Sequence, residues 1–336
     1  MREHHLYLLS GECPELAFAE LRSLAKVLTL ENEPELITSR LAKLECPRDK
    51  SLEMLRRSAF LKELSVYHGT LNRIEGELPL QVADGERVAV RVKKLGNLSV
   101  PSIELERRVG ANIKRANPNV KIDLERPTRT IRVYVDPSVV VLATLLVERG
   151  SREFEWRSPA KRPFRHPSLL QPKLARCMVN LTETPIGGVI LDPFAGTGSI
   201  PIEATILGYE AIGIEIRRWI ARGGYRNLVS LKPGDGHMVV GDARRLPLHR
   251  QVDGVATDPP YGKSTYVSGR DLRALINDFL SEISSYLRRG AKMVISYPST
   301  GPIREVIEGS GLEVSGSYSY FVHSSLIRRI AVTVIR

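Results

Sequence analysis

The chain has 336 residues, 49 lysines and arginines against 38 acidic residues, and a formal net charge of +11. That length suits two domains with separate cores, and the charge suits a polyanionic partner. Cys13, Cys46 and Cys177 are dispersed, which excludes a disulfide framework and paired zinc spacings, and the longest strongly apolar stretch, Val139 to Val147, is far below the roughly 20 residues that span a bilayer, so a cytoplasmic protein without metal or membrane segment is expected, as a monomer with or without an accessory subunit.

The first 50 residues carry 7 basic and 9 acidic side chains, so the remaining +13 lies from Ser51 onward. From Leu6 to Tyr67 the apolar spacing alternates between periods near two and near 3.6. It predicts strand Leu6–Leu9, helix Pro14–Val27, strand Leu36–Leu44, helix Lys50–Ala59 and strand Leu61–Tyr67, a small α+β unit. Strand Glu86–Lys94, helix Ser102–Ala116 and strand Thr130–Val135 follow, and a short apolar helix opened by Asp136-Pro137-Ser138 is expected to close this first domain, residues 1–148.

In the strand Glu86–Lys94, valines alternate with Arg87, Arg91 and Lys93; in Thr130–Val135, Arg132 and Tyr134 oppose Ile131, Val133 and Val135. Each strand thus carries an apolar face and a basic one. The basic faces are either solvated or, together with Arg107, Arg108, Lys114 and Arg115 of the intervening helix, a surface for RNA. Residues 149–163 mix basic and aromatic side chains with prolines and read as a linker, whose aromatics serve domain docking ahead of base stacking.

From Lys173 onward helices and strands alternate in a doubly wound α/β pattern. The strands are Gly188–Leu191, Glu210–Glu215, His237–Val240, Val252–Thr257 and Lys292–Tyr297, with helices to Leu181, at Ile200–Leu207, through Asn227, at Asp271–Leu287 and near Ile303–Glu308. Two final strand-like runs, Leu312–His323 and Leu326–Ile335, are separated only by Ser324 and Ser325 and predict an antiparallel last pair. The second domain, 164–336, is therefore expected as a Rossmann-like sheet of seven strands whose last is antiparallel.

The segment VILDPFAGTGSIPIEA sets Gly196 and Gly198 between an apolar strand and a helix, where glycine permits a tight turn and close backbone approach to a ligand. Glu215 ends the next strand 19 residues after Gly196, where a carboxylate accepts hydrogen bonds from ribose hydroxyls. A dinucleotide would fit so far. Yet Pro201 replaces the third glycine of the dinucleotide fingerprint, and Asp192 directly after the strand suits an ammonium better than a pyrophosphate. Asp242, with Ala243 beside it, follows the third strand and is placed to bind an adenine amino group; its alternative role is a helix cap. Adenosine at one end and a zwitterionic amino acid at the other describe S-adenosylmethionine.

Asp258-Pro259-Pro260-Tyr261-Gly262 follows the strand GVAT at what should be the fourth strand's carboxyl end. An exocyclic base amine is a poor nucleophile because its lone pair is delocalised into the ring. The Asp258 carboxylate and the Pro259 carbonyl can accept its two N–H bonds and compensate the positive charge that develops, while Tyr261 offers a ring face for the base. Alone such a turn is more often structural; after a glycine-rich loop and an acidic second strand it reads as catalytic.

With these motifs the chain resembles the archaeal tRNA (guanine10-N2)-methyltransferases, which join a ferredoxin-like segment and a THUMP domain to a class I methyltransferase. The resemblance runs through FRHPSLLQPKLARCMVNL, DPFAGTGSIPIEA, GIEI, GDARRLP and TDPPYGKS, and more diffusely through RVAVRVKKLG and RRVGANIKRANPNVKIDLERPTRTIRVYV. It implies that Asp258 and Tyr261 carry catalysis. It further implies that Asp192, Ala195, Gly196, Gly198, Glu215 and Asp242 bind the methyl donor beneath His166, Pro167 and Ser168, and that the amino-terminal half binds tRNA. The aspartate of DPPYG favours guanine 10 over the related guanine-6 enzymes. Competing readings are an adenine-N6 DNA methyltransferase, an RNA-binding protein with an inactive core, and an NAD-dependent oxidoreductase.

Overall fold

The computed structural model describes residues 2–71, 78–150, 152–166, 170–231, 234–260, 272–300, 303–324 and 326–334. In chain order its first elements are β1 (Arg2–Leu9), α1 (Pro14–Val27), β2 (Glu35–Thr38), β3 (Leu41–Pro47), α2 (Arg48–Arg57) and β4 (Leu61–Leu71). These are followed by β5 (Arg87–Lys94), α3 (Ser102–Ala116), β6 (Lys121–Ile122), β7 (Arg129–Asp136) and β8 (Val139–Glu148). The second half holds α4 (Pro172–Leu181), β9 (Val189–Asp192), α5 (Ser199–Ile206), β10 (Glu210–Glu215), α6 (Arg218–Leu231), β11 (Gly236–Val240) and β12 (Val252–Thr257). It ends with α7 (Leu272–Ile283), β13 (Leu287–Pro298), α8 (Ile303–Gly309), β14 (Glu313–His323) and β15 (Leu326–Val334). No described helix is long and apolar enough to cross a membrane.

The chain forms two compact units. The first comprises residues 1–14, 30–56 and 61–149 and is built on a mixed sheet ordered β2-β3-β1-β4-β8-β7-β5-β6. Leu105, Val109 and Ile113 lie at i, i+4, i+8 on α3 and pack with Val88, Val90, Ile131 and Val133 of β5 and β7. That spacing is what makes α3 an amphipathic cover for the sheet.

Two expected elements differ. The run Leu36–Leu44 is not one strand but the hairpin β2–β3, because the Thr38 hydroxyl accepts hydrogen bonds from the amides of Arg40 and Leu41 (3.2 and 3.1 Å) and turns the chain. The apolar segment after Asp136-Pro137-Ser138 is strand β8, not a helix. Asp136 accepts from the Ser138 amide at 3.1 Å and closes a tight turn, so the β-branched Val139, Val140 and Val141 pair back onto β7. An aspartate at a segment start can close a hairpin as well as cap a helix, and only the partner strand decides.

The second unit comprises residues 15–29, 57–60 and 150–336. It includes α1, whose Glu20 accepts the amides of Ala59 and Phe60 (2.7 and 2.9 Å) and an N–H from the side chain of Asn180 on α4 (2.7 Å). The stretch expected as a linker carries two short 3₁₀ turns, Glu155–Arg157 and Pro159–Lys161. Its Arg157 is buried against Glu203 of α5 at 2.6 Å, which Arg176 of α4 also meets at 2.7 Å.

The sheet of this unit is ordered β11-β10-β9-β12-β13-β15-β14. Only β15 runs antiparallel to its neighbours, β13 and β14, as the close spacing of the last two strands implied. The order reverses between β9 and β12, which opens a crevice at their carboxyl ends.

Candidate methyl-transfer site

Beyond the carboxyl end of β9 the loop turns at Gly196 and Gly198 with φ of 52° and 85°, left-handed values that favour glycine, and delivers the first turn of α5. The Ala195 amide donates to the Ile214 carbonyl at 2.9 Å and ties the loop to β10. A Cβ built on Gly196 would meet nothing within 4 Å, so the turn offers open space beside the strand ends. Pro201 instead packs against β10, its Cγ 3.0 Å from where a Cβ of Gly213 would stand.

Asp192 is 3 % exposed and accepts hydrogen bonds from the Thr257 hydroxyl at 2.8 Å and the Phe194 amide at 3.2 Å. Burial pushes its carboxyl up to about 7, with the nearby negative charges of Asp258 and Glu215 adding to the rise. Thr257 ends β12, so one hydrogen bond ties the start of the glycine loop to the strand that presents Asp258 and the buried Pro259.

Asp258 is largely buried, and burial raises its carboxyl above the ordinary carboxylate range. Arg328 of β15 opposes that rise by pairing with Asp258 Oδ1 while donating to Ser296 Oγ of β13 at 3.1 Å. Motif reading missed Arg328. The available signal was parity: Arg328 shares the face of β15 that buries Ile330 and Val332, and an arginine on a buried face requires a carboxylate.

Glu215 is half-buried at the end of β10, accepting the Arg217 amide at 2.8 Å. Asp242 is gripped by Arg244, whose Nε lies 3.0 Å from Oδ1 and whose Nη2 lies 2.5 Å from Oδ2. Ala243 is buried in the core with Ile214 and Leu246, leaving only its backbone for a ligand. His166 packs on Trp219 of α6 with ring centroids 5.8 Å apart. Phe164 is fixed there too, because Asn227 bonds both its amide and its carbonyl (2.9 and 3.1 Å) and also the Thr197 carbonyl of the glycine loop at 3.1 Å. Pro167, Ser168 and Tyr261 lie outside the described residues.

The basic residues of the first unit separate into two groups. Arg132 is only 6 % exposed and pairs with Glu63 at 2.9 Å and Glu148 at 2.8 Å, and Lys93 pairs with the same two carboxylates. These two belong to a charge network, which forms because β4 and β8 bring Glu63 and Glu148 to the same sheet face. Arg91 donates to the Leu124 carbonyl at 3.0 Å. Arg107, Arg108, Lys114 and Arg115 remain exposed on α3.

Residues 159–330 match the family described as UPF0020: RMKL-like, methyltransferase domain. The chain is similar to the tRNA (guanine(10)-N2)-dimethyltransferase of Methanothermobacter thermautotrophicus, with 34 % identity over 332 residues, covering 97 % of this chain and 98 % of that one. It is 27 % identical over 361 residues to the enzyme of the same name from Methanocaldococcus jannaschii, again covering 97 % and 98 %. Among solved structures, TrmN from Thermus thermophilus shares the fold with a TM-score of 0.55 at 22 % identity, covering 99 % of this chain and 100 % of that one.

Proposed function

We propose, because this chain belongs to the UPF0020 family of RMKL-like methyltransferases, that it transfers one or two methyl groups from S-adenosylmethionine to the exocyclic N2 of guanosine in tRNA, at guanosine 10. The observation that carries the reading is the convergence of Asp192 and the Asp258-Pro259 turn at the crevice where the strand order reverses, in a chain alike end to end to guanine-10 enzymes.

The residues fit the donor. The open turn at Gly196 leaves room for a ligand against the backbone, Asp192 offers a carboxylate to an ammonium, and Glu215 offers one to ribose hydroxyls. S-adenosylmethionine, when bound, supplies an electrophilic sulfonium methyl. Asp258 and the Pro259 carbonyl accept the N–H bonds of the guanine amine, orient its nitrogen and compensate the charge that grows there. The proton lost from nitrogen passes to the Asp258 carboxylate. Guanine N2 faces the minor groove of a paired helix, so the base must leave the stack to reach this turn, with Tyr261 assigned to its ring face from the motif. The amino-terminal unit is assigned as a THUMP-type RNA-binding region, with Arg107, Arg108, Lys114 and Arg115 of α3 as its phosphate contacts.

The test is incubation of the protein with labelled S-adenosylmethionine and unmodified tRNA transcripts carrying guanosine or adenosine at position 10, followed by nucleoside mass spectrometry. N2-methylguanosine or N2,N2-dimethylguanosine on the first transcript only is the expected result. Label persisting on the second transcript moves the target to another guanosine, and label on adenine overturns the reaction.

A further inference from the structure

β15 runs against the six other strands of its sheet in direction, so its first residues, not its last, lie level with the carboxyl ends of β12 and β13. The register sets Arg328 opposite Pro298 and Ile330 opposite Ser296. An arginine three residues into β15 can therefore reach across β13 to the turn after β12. Arg328 does so: it is 8 % exposed, donates to Ser296 Oγ at 3.1 Å, and pairs with Asp258 Oδ1.

A guanidinium stays protonated even when buried, so this strand fixes a permanent positive charge behind the carboxylate. The charged and titratable groups facing Asp258 among the described residues are Arg328 from β15 and Asp192 from β9; the Ser296 hydroxyl from β13 also hydrogen-bonds it. Burial favours the neutral acid, and Arg328 is the cation that opposes it.

We propose that Arg328 is a positioning residue for methyl transfer: held by Ser296, it keeps Asp258 ionised in a buried site and fixes one carboxylate oxygen, leaving the other to receive the substrate amine. The proposal rests on the functional reading above and adds a residue outside the Asp258–Tyr261 turn to it. A neutral Asp258 would present a proton donor to an amine that needs an acceptor, and an untethered one would rotate away from the attack line.

The test compares wild-type protein with Arg328→Met, Arg328→Lys and Ser296→Ala, each checked for folding by circular dichroism. Two readouts are taken: the pH profile of kcat, with KM for tRNA and donor, and the carboxyl titration of Asp258 by carbon-13 NMR, assigned with Asp258→Asn. Asp192→Asn in the same backgrounds separates the second titrating carboxyl. Arg328→Met is expected to lower kcat about 100-fold with KM changed less than about threefold, and to move both the acid limb and the Asp258 titration upward by about one pH unit or more. Arg328→Lys, which keeps the charge, is expected to hold the titration near wild type and recover part of kcat. Ser296→Ala is expected to show a smaller fall in kcat, and it tests the tether if Arg328→Met fails to fold. Folded Arg328→Met with unchanged kcat or an unmoved Asp258 titration overturns this role alone. A wild-type protein that methylates no tRNA guanosine overturns the functional reading and this role with it.

Discussion

Asp192 shows how one buried side chain couples ligand chemistry to stability. Its carboxyl is raised from an ordinary 3.8 to about 7, so between pH 4 and pH 7 the folded protein holds a proton that the unfolded chain has released. Stability from this group is therefore full below about pH 4 and is lost as pH rises through 7, by an amount on the order of 4 kcal/mol at most. Urea unfolding of the donor-free protein against Asp192→Asn is expected to show the wild type losing stability relative to the variant as pH goes from 4 to 8; a difference independent of pH would contradict the assignment. The strand-end positions of Asp192, Glu215 and Asp258 were legible because the first two close a strand and the third directly follows one, in motifs whose spacing has a chemical reason. Arg328 was not, because it stands 70 residues from Asp258 and meets it only through the sheet order. The partners of Arg132 and Lys93 were hidden for a related cause: their alternation with valines is real, but Glu63 and Glu148 come from strands whose pairing no local pattern reveals.

Among the elements, the parallel strands, the glycine loop and the closing hairpin were readable from periodicity, since period-two runs bounded by turn residues have few alternatives over that length. The errors fell on β8, where a strand and a helix turn are equally consistent with the letters and the neighbour decides, and on the β2–β3 pair, where a side-chain turn at Thr38 splits one apolar run into two strands. Helix α1 carries the sharpest consequence. It lies early in the chain, yet it packs within the second unit, where buried Glu20 bonds Asn180 and where Asn180 also donates to the Arg57 carbonyl at 3.1 Å. A fragment beginning at Gly150 lacks α1 and Arg57–Phe60, and strands buried polar groups of α4 without their partners. Scanning calorimetry is expected to place its melting about 10 °C or more below that of the same unit in the full chain, since each kcal/mol shifts a domain of this size by about 2–4 °C. Melting within about 2 °C of the full chain would mean that the fragment closes on itself.

For the whole molecule, a methyltransferase unit whose sheet reverses order at β9 and β12 carries the glycine loop on one side of the crevice and the Asp258-Pro259 turn on the other, while β15 supplies charge to the turn from behind. Fold and site agree because Asp192, Glu215 and Asp258 each sit at a parallel strand's carboxyl end, and Arg328, on the antiparallel strand, sits near that strand's beginning. The net charge of +11 belongs to the same scale, favouring encounter with a polyanion without specifying where it is read. On the proposed mechanism Asp258 activates the guanine amine rather than holding the donor or the fold. The direct measurement is single-turnover methylation of tRNA by wild type and Asp258→Ala, with S-adenosylmethionine affinity of both measured by calorimetry. Donor affinity within about threefold, with the transfer rate down by about 100-fold to 1,000-fold, is the expected result. A transfer rate near wild type, or a loss explained wholly by weaker donor binding, would contradict it.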